Sequence, residues 1–174
     1  MGLNSIINFR KVQGSCLASS FRKEIGMKTR IAFKPVEILV VEDSKGDIGL
    51  IEEGFEDAKI GNVLHIVEDG EEAIAFLRGE GQFSGSPRPD IILLDLNLPK
   101  KDGREVLEEV KGDDELKNIP IVVLTTSKAE EDILRSYNLH ANAYITKPVD
   151  FDQFLKVVKS IENFWLEIVK LPSK

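Results

Sequence analysis

Five polar residues stand where short apolar runs end. Glu42 and Asp43 close ILVVED, Asp95 closes IILLD, Thr125 closes IVVLT, and Lys147 closes AYITK. Each run is rich in Val, Ile and Leu and bounded by turn or helix signals, as buried parallel strands are. An acid pair, an acid, a hydroxyl and a lysine at the ends of four strands compose a site for moving a phosphoryl group onto a carboxylate. Asp95, on the central run, is the expected nucleophile, forming an aspartyl phosphate. Such transfer demands chiefly positioning and charge neutralisation. Mg2+ is a hard ion that prefers oxygen ligands. It would bridge Asp95, Asp43 and a phosphoryl oxygen, with Glu42 acting through a water and the backbone carbonyl of Asn97 as a further ligand. Lys147 would meet the phosphoryl group as a point charge, and Thr125 would donate a hydroxyl hydrogen bond to it. Tyr144, three residues before Lys147, is expected to swing between outward and inward positions as Thr125 moves.

The elements that must position these groups alternate from Val36 onward between strand and helix patterns, which predicts a parallel sheet covered by helices on both faces. Strands are expected near Glu37–Glu42, Asn62–Val67 and Pro89–Asp95, with two more ending at Thr125 and Lys147. Ile48, Ile51, Phe55 and Ala58 fall at helical steps, and further helices are expected at Glu71–Leu77, around Val106, Leu107 and Val110, around Ile133, Leu134 and Tyr137, and from Asp150 to Val169. Gly79 to Arg88 holds Gly, Ser and Pro and reads as a loop. Five strands and five helices fit the doubly wound, flavodoxin-like α/β order 2-1-3-4-5, in which ligands bind beyond the carboxyl ends of the strands near the switch in strand order. That switch lies between the first and third strands, where Glu42, Asp43 and Asp95 would converge.

The chain has 174 residues, 42% of them apolar, and a net charge of −7. It suits one globular domain, and the charge argues against nucleic acid or an anionic membrane as a primary partner. Residues 1–36 carry seven Lys/Arg and one acid, leaving 16 bases against 29 acids on the rest. Residues 1–35 are therefore expected to form a basic, disordered extension, with residues 36–171 the functional domain. The extension lacks the apolar block of a secretory signal, and Ile6 stands where a myristoylation signal needs Ser or Thr. Its basic, acid-poor composition loosely resembles a transit peptide. The plainer expectation is an extension without targeting function, or initiation at Met27. A single Cys16 allows no internal disulfide and makes a reducing, cytoplasmic compartment the default. His65 and His140 are expected to be structural, because neither ends a strand at the cleft.

The motifs VEDS, LLDLNLP, VLTTS and ITKP resemble the receiver domains of bacterial two-component response regulators, over about Val36 to Leu171. The resemblance implies that Asp95 is the phosphoacceptor, Glu42 and Asp43 the acidic pair, Thr125 the switch hydroxyl, and Lys147 the conserved-type lysine before Pro148. It also implies a sensor histidine kinase as phosphoryl donor, and a signalling protein whose only catalysis is Mg2+-dependent self-phosphorylation and slow self-dephosphorylation. A narrower likeness, carried by PRPDIILLDLNLPKKDGREVL, LTTS and FWLEIVKLP, is to small regulators paired with cyanobacterial and other bacterial phytochromes. Three features depart from the common pattern: Glu42 stands where many receivers have Asp, Thr126 where a small residue is usual, and the Gly79–Arg88 loop is long.

The last helix carries more apolar surface than one core face needs. Phe154, Val158, Ile161, Trp165 and Ile168 make one stripe; Val157, Ile161, Phe164, Ile168 and Leu171 make a second with coiled-coil-like spacing. The first should cover the sheet and the second a partner, so a homodimer is expected. Since the chain stops soon after this helix, it is expected to signal by contact with a downstream protein. Other classes fit less well. A haloacid-dehalogenase-type phosphatase wants a second acid where Asn97 stands, and a flavin module wants a phosphate-binding first turn where Glu42-Asp43-Ser44 would repel one. A receiver that is never phosphorylated, serving as an interaction module, is the alternative left open.

Overall fold

The computed structural model describes residues 34–56, 60–126 and 130–172. The expected N-terminal extension, Cys16 and Ala58, and the side chain of Leu134, lie outside the described residues. Five parallel strands, β1 (Val36–Val41), β2 (Asn62–Val67), β3 (Ile91–Leu94), β4 (Ile121–Thr125) and β5 (Ala143–Thr146), form one sheet in the order β2-β1-β3-β4-β5. This is the expected doubly wound order. In the register of the central strands, Ile38 lies beside Leu64 and Ile91, and Val41 beside Val67 and Leu94.

The central strands are apolar at every position because both faces are covered. Leu39, Val41, Ile92, Leu94, Ile121 and Val123 pack toward helices α2 (Gly70–Arg78) and α3 (Gly103–Gly112). Ile38, Val40, Ile91, Leu93, Val122 and Leu124 pack toward α1 (Lys45–Glu56) and α5 (Phe151–Glu162). Helix α4 (Glu130–Asn138) packs beside β5. Fully burying one such aliphatic side chain contributes about 1.5–3 kcal/mol, so the sheet core fixes where every strand ends. Gly54 lets α1 approach α5, since a Cβ there would collide with Val158.

Two elements depart from expectation. The Gly79–Arg88 segment holds a 3-10 turn at Gly81–Phe83, anchored by Phe83, whose ring meets Phe76 edge-on at 5.5 Å. The last helix is not uniform: after Glu162 it continues as a π-helical segment, Asn163–Ile168, closed by a Val169 N–H to Phe164 C=O bond of 2.9 Å. The wider turn adds a residue per turn and rotates the apolar face. Leu166 enters the core in place of Ile168, which is 74% exposed, and Trp165 is only partly buried. The first predicted stripe thus holds through Trp165, which packs against the core, and is corrected at Ile168.

Candidate functional site

The sheet brings the ends of β1, β3, β4 and β5 to one edge. Backbone bonds carry the pairing one residue past each strand: the Glu42 N–H donates to Val67 C=O at 3.0 Å, Asp95 N–H to Val41 C=O at 3.0 Å, and Lys147 N–H to Thr125 C=O at 2.7 Å. The side chains at these positions are therefore held as firmly as strand residues. Glu42, Asp95, Thr125 and Lys147 are all buried, at 2%, 6%, 0% and 4% exposure. Buried charges must be paired, and here they pair with one another.

The Lys147 ammonium lies 2.5 Å from Glu42 Oε2, 2.6 Å from Asp95 Oδ2 and 2.8 Å from Asp47 Oδ2. Three carboxylates thus occupy the three donors of one ammonium. The remaining Asp95 oxygen, Oδ1, accepts the Asn97 N–H at 3.0 Å, and Glu42 Oε1 accepts the Ser44 N–H at 3.1 Å. Gly103 completes the enclosure: a Cβ there would collide with the Asp95 carbonyl, so only glycine lets α3 begin this close.

Burial pushes the Glu42 carboxyl up to about 7, against the hydrogen bond and charge of Lys147 and with the charge of Asp95 adding to the rise. Burial alone would pull Lys147 down, yet its bonds to Asp47, Asp95 and Glu42 outweigh that and hold the ammonium well above its ordinary range. The two directions have different origins: burial dominates at Glu42, whereas the three carboxylates around it together dominate at Lys147.

Asp47 was not anticipated as a site residue. It sits in the first turn of α1, where an acid is ordinarily read as favourable to the helix N-terminus, so its spacing alone gives no signal. The amide of Asn97 was also missed. It donates to the hydroxyls of Thr125 at 3.2 Å and Thr126 at 3.3 Å, bridging β4 to the segment after β3. Asp43 is exposed at the rim, and Thr126 is exposed beside the cluster. The Ser44 hydroxyl accepts the Asp47 N–H at 3.3 Å in the first turn of α1. Tyr144 is partly buried, paired in register with Val123 and packed against the α2–α3 side of the core. His65 bonds Glu37 at 2.8 Å in mid-strand and packs on Phe76; His140, in a turn at φ 63°, is exposed.

Among the described residues, no group of three or more His, Cys, Asp or Glu side chains is placed to hold a metal ion. The donor chemistry nevertheless fits a divalent cation. Glu42, Asp47 and Asp95 against Lys147 leave a formal charge of −2 on hard oxygen ligands, with Asp43 adjacent at the rim. The cation in the cluster is the Lys147 ammonium, which marks the pocket as one that positive charge stabilises. No helix among the described residues is long and apolar enough to cross a membrane.

The profile of the response regulator receiver domain family matches residues 38–159. Response regulator Rcp1 of Synechocystis sp. (strain ATCC 27184 / PCC 6803 / Kazusa) is 53% identical over 139 residues, spanning 80% of this chain and 95% of that protein. The Mn2+-bound form of Rcp1 and the phosphorylated cyanobacterial phytochrome response regulator RcpA each align with a TM-score of 0.79 at 53% identity, over 80% of this chain and 100% of theirs. The bacteriophytochrome response regulator RtBRR aligns with a TM-score of 0.63 at 40% identity, over 80% of this chain and 85% of its own.

Proposed function

The chain belongs to the response regulator receiver domain family, and on that premise we propose that it accepts a phosphoryl group on Asp95 from a sensor histidine kinase of phytochrome type. The observation that carries this reading is the buried Asp95 carboxylate bonded to Lys147 at the carboxyl edge of the sheet. An Asp95 oxygen forms a bond to phosphorus while the bond from phosphorus to the kinase histidine nitrogen breaks. The imidazole leaves with the electron pair and takes up a proton. Lys147 donates to the phosphoryl oxygens, and Thr125 turns its hydroxyl from Asn97 toward them. Tyr144, on the neighbouring strand, follows that movement. Mg2+ held by Glu42, Asp43, Asp95 and the Asn97 carbonyl would supply positive charge to the transferring group.

Going from carboxylate to phosphate adds about one negative charge and new acceptor oxygens, enough to bias a two-state surface. The surface we assign to that output is the end of the last helix. Phe164 and Ile168 are 50% and 74% exposed there. Val157 and Leu171 complete the proposed homodimer face, whereas Ile161, 4% exposed in the core, is withdrawn from it. The phosphorylated form signals by contact with a downstream protein in the cytoplasm.

The test is transfer of label from a phytochrome-type histidine kinase, autophosphorylated with labelled ATP, to wild type and Asp95→Asn. Label passing to wild type alone supports the reading. Label passing to neither, with a control regulator accepting it, removes the phytochrome-type donor, and label passing to both removes Asp95 as acceptor.

A further inference from the structure

Asp47 has no part in the phosphoryl transfer set out above, yet its carboxylate takes one of the three donors of Lys147. An ammonium has three N–H groups, and Glu42, Asp95 and Asp47 occupy all of them. When Asp95 is phosphorylated, its own bond to Lys147 passes to a phosphoryl oxygen, and a second phosphoryl oxygen can be met only if another acid lets go. Glu42 is the poorer candidate: its side chain is 3% exposed and its other oxygen is already taken by the Ser44 N–H. Asp47 is the candidate that costs least to release. Its side chain is 28% exposed, it can rehydrate, and it stays at the N-terminus of the twelve-residue α1, where unpaired backbone N–H groups offset its charge.

We propose that Asp47 is a positioning residue that holds Lys147 in a resting station and must release it when Asp95 is phosphorylated, so that it slows phosphoryl acceptance. The proposal rests on Asp95 as phosphoacceptor and adds a control on how readily that site fires. It acts on the step in which an Asp95 oxygen bonds to phosphorus as a donor's phosphorus–oxygen bond breaks. With acetyl phosphate the leaving acetate carries away the electron pair, and no proton is exchanged. Removing the Asp47 charge leaves at most a weaker bond from Lys147 to a neutral amide oxygen, so that donor is released more readily. The maximal rate of acceptance then rises, while the donor concentration that gives half of it changes little. A mere reduction of negative potential would do the reverse, drawing the anionic donor in more tightly at an unchanged maximal rate.

The experiment measures phosphoryl uptake by intact mass against acetyl phosphate concentration, with Mg2+, for wild type, Asp47→Asn and Asp47→Glu. The expected result is a maximal rate about five-fold higher in Asp47→Asn, the scale of a partly exposed ion pair. Asp47→Glu, which keeps the carboxylate, returns it toward wild type. An unchanged or lower maximal rate in Asp47→Asn, or an effect confined to half-saturation, overturns the proposal while Asp95 phosphorylation stands. Failure of wild type itself to take up a phosphoryl group overturns the functional reading beneath it.

Discussion

Replacing Lys147 by Met keeps the length of the side chain and removes the cation from three carboxylates. The cost follows from which acids are stranded. Asp47 is open enough to rehydrate, so it contributes little. Glu42 and Asp95 have side chains only 3% and 6% exposed, and breaking a buried ion pair by removing one partner costs about 3–5 kcal/mol. Protonation limits the cost, because a stranded carboxylate can always take up a proton. The Glu42 carboxyl already lies at about 7, so at pH 8 its additional share is capped at about 1.4 kcal/mol, one unit of pH. Asp95 carries the rest, giving a total loss near 4 kcal/mol at pH 8. At pH 5 the Glu42 carboxyl is already protonated in the wild type, so its share vanishes and the loss falls below the value at pH 8. The assay is urea unfolding of wild type and Lys147→Met in chelator at both pH values. Added Mg2+ should recover part of the loss at pH 8, since the vacated pocket still offers uncompensated carboxylates. A loss below about 1 kcal/mol at pH 8, or an equal loss at both pH values, would refute the view that Lys147 neutralises buried acids.

Two further outcomes are expected. Because the folded Glu42 carboxyl is raised from 4.5 to about 7, the folded state binds more protons between those values. The stability this gives is complete below pH 4.5 and is lost as pH rises through 7. Relative to Glu42→Gln, wild type should therefore lose up to about 3 kcal/mol between pH 4.5 and pH 8 in chelator, read by urea unfolding, and parallel stability curves would refute it. Charged residues at Phe164 and Leu171 should lower the sedimenting mass from dimer to monomer without changing the circular dichroism, and an unchanged mass would remove the last helix as the dimer face.

Much of the fold was legible because a parallel sheet covered on both faces writes itself as continuous apolar runs. The run Ile38–Val41 needs no tertiary information to be recognised as a central strand, nor does Ile91–Leu94. Four of the polar residues that terminate these runs, Glu42, Asp95, Thr125 and Lys147, are brought together because strand ends in such a sheet share one edge. Residues outside the strands were harder to place. Asp47 reaches Lys147 from a different element, and an acid in the first turn of a helix has an ordinary electrostatic explanation. Asn97 was noted for its backbone carbonyl, whereas its amide makes the visible contacts. The π-helical end of the last helix left no trace in its spacing, because the phase shift that exchanges Ile168 for Leu166 depends on packing against the sheet. Phe83 pinned a short turn in a segment whose Gly, Ser and Pro content spoke only of loop.

The central claim is that Asp95 takes up a phosphoryl group with the help of a divalent cation. The most direct test is intact mass after incubation with acetyl phosphate, with Mg2+ and with chelator, on wild type and Asp95→Asn. A single phosphoryl adduct that requires both Mg2+ and Asp95 is the predicted result. No adduct on a folded wild-type protein that binds Mg2+, or an adduct that persists in Asp95→Asn, would contradict it.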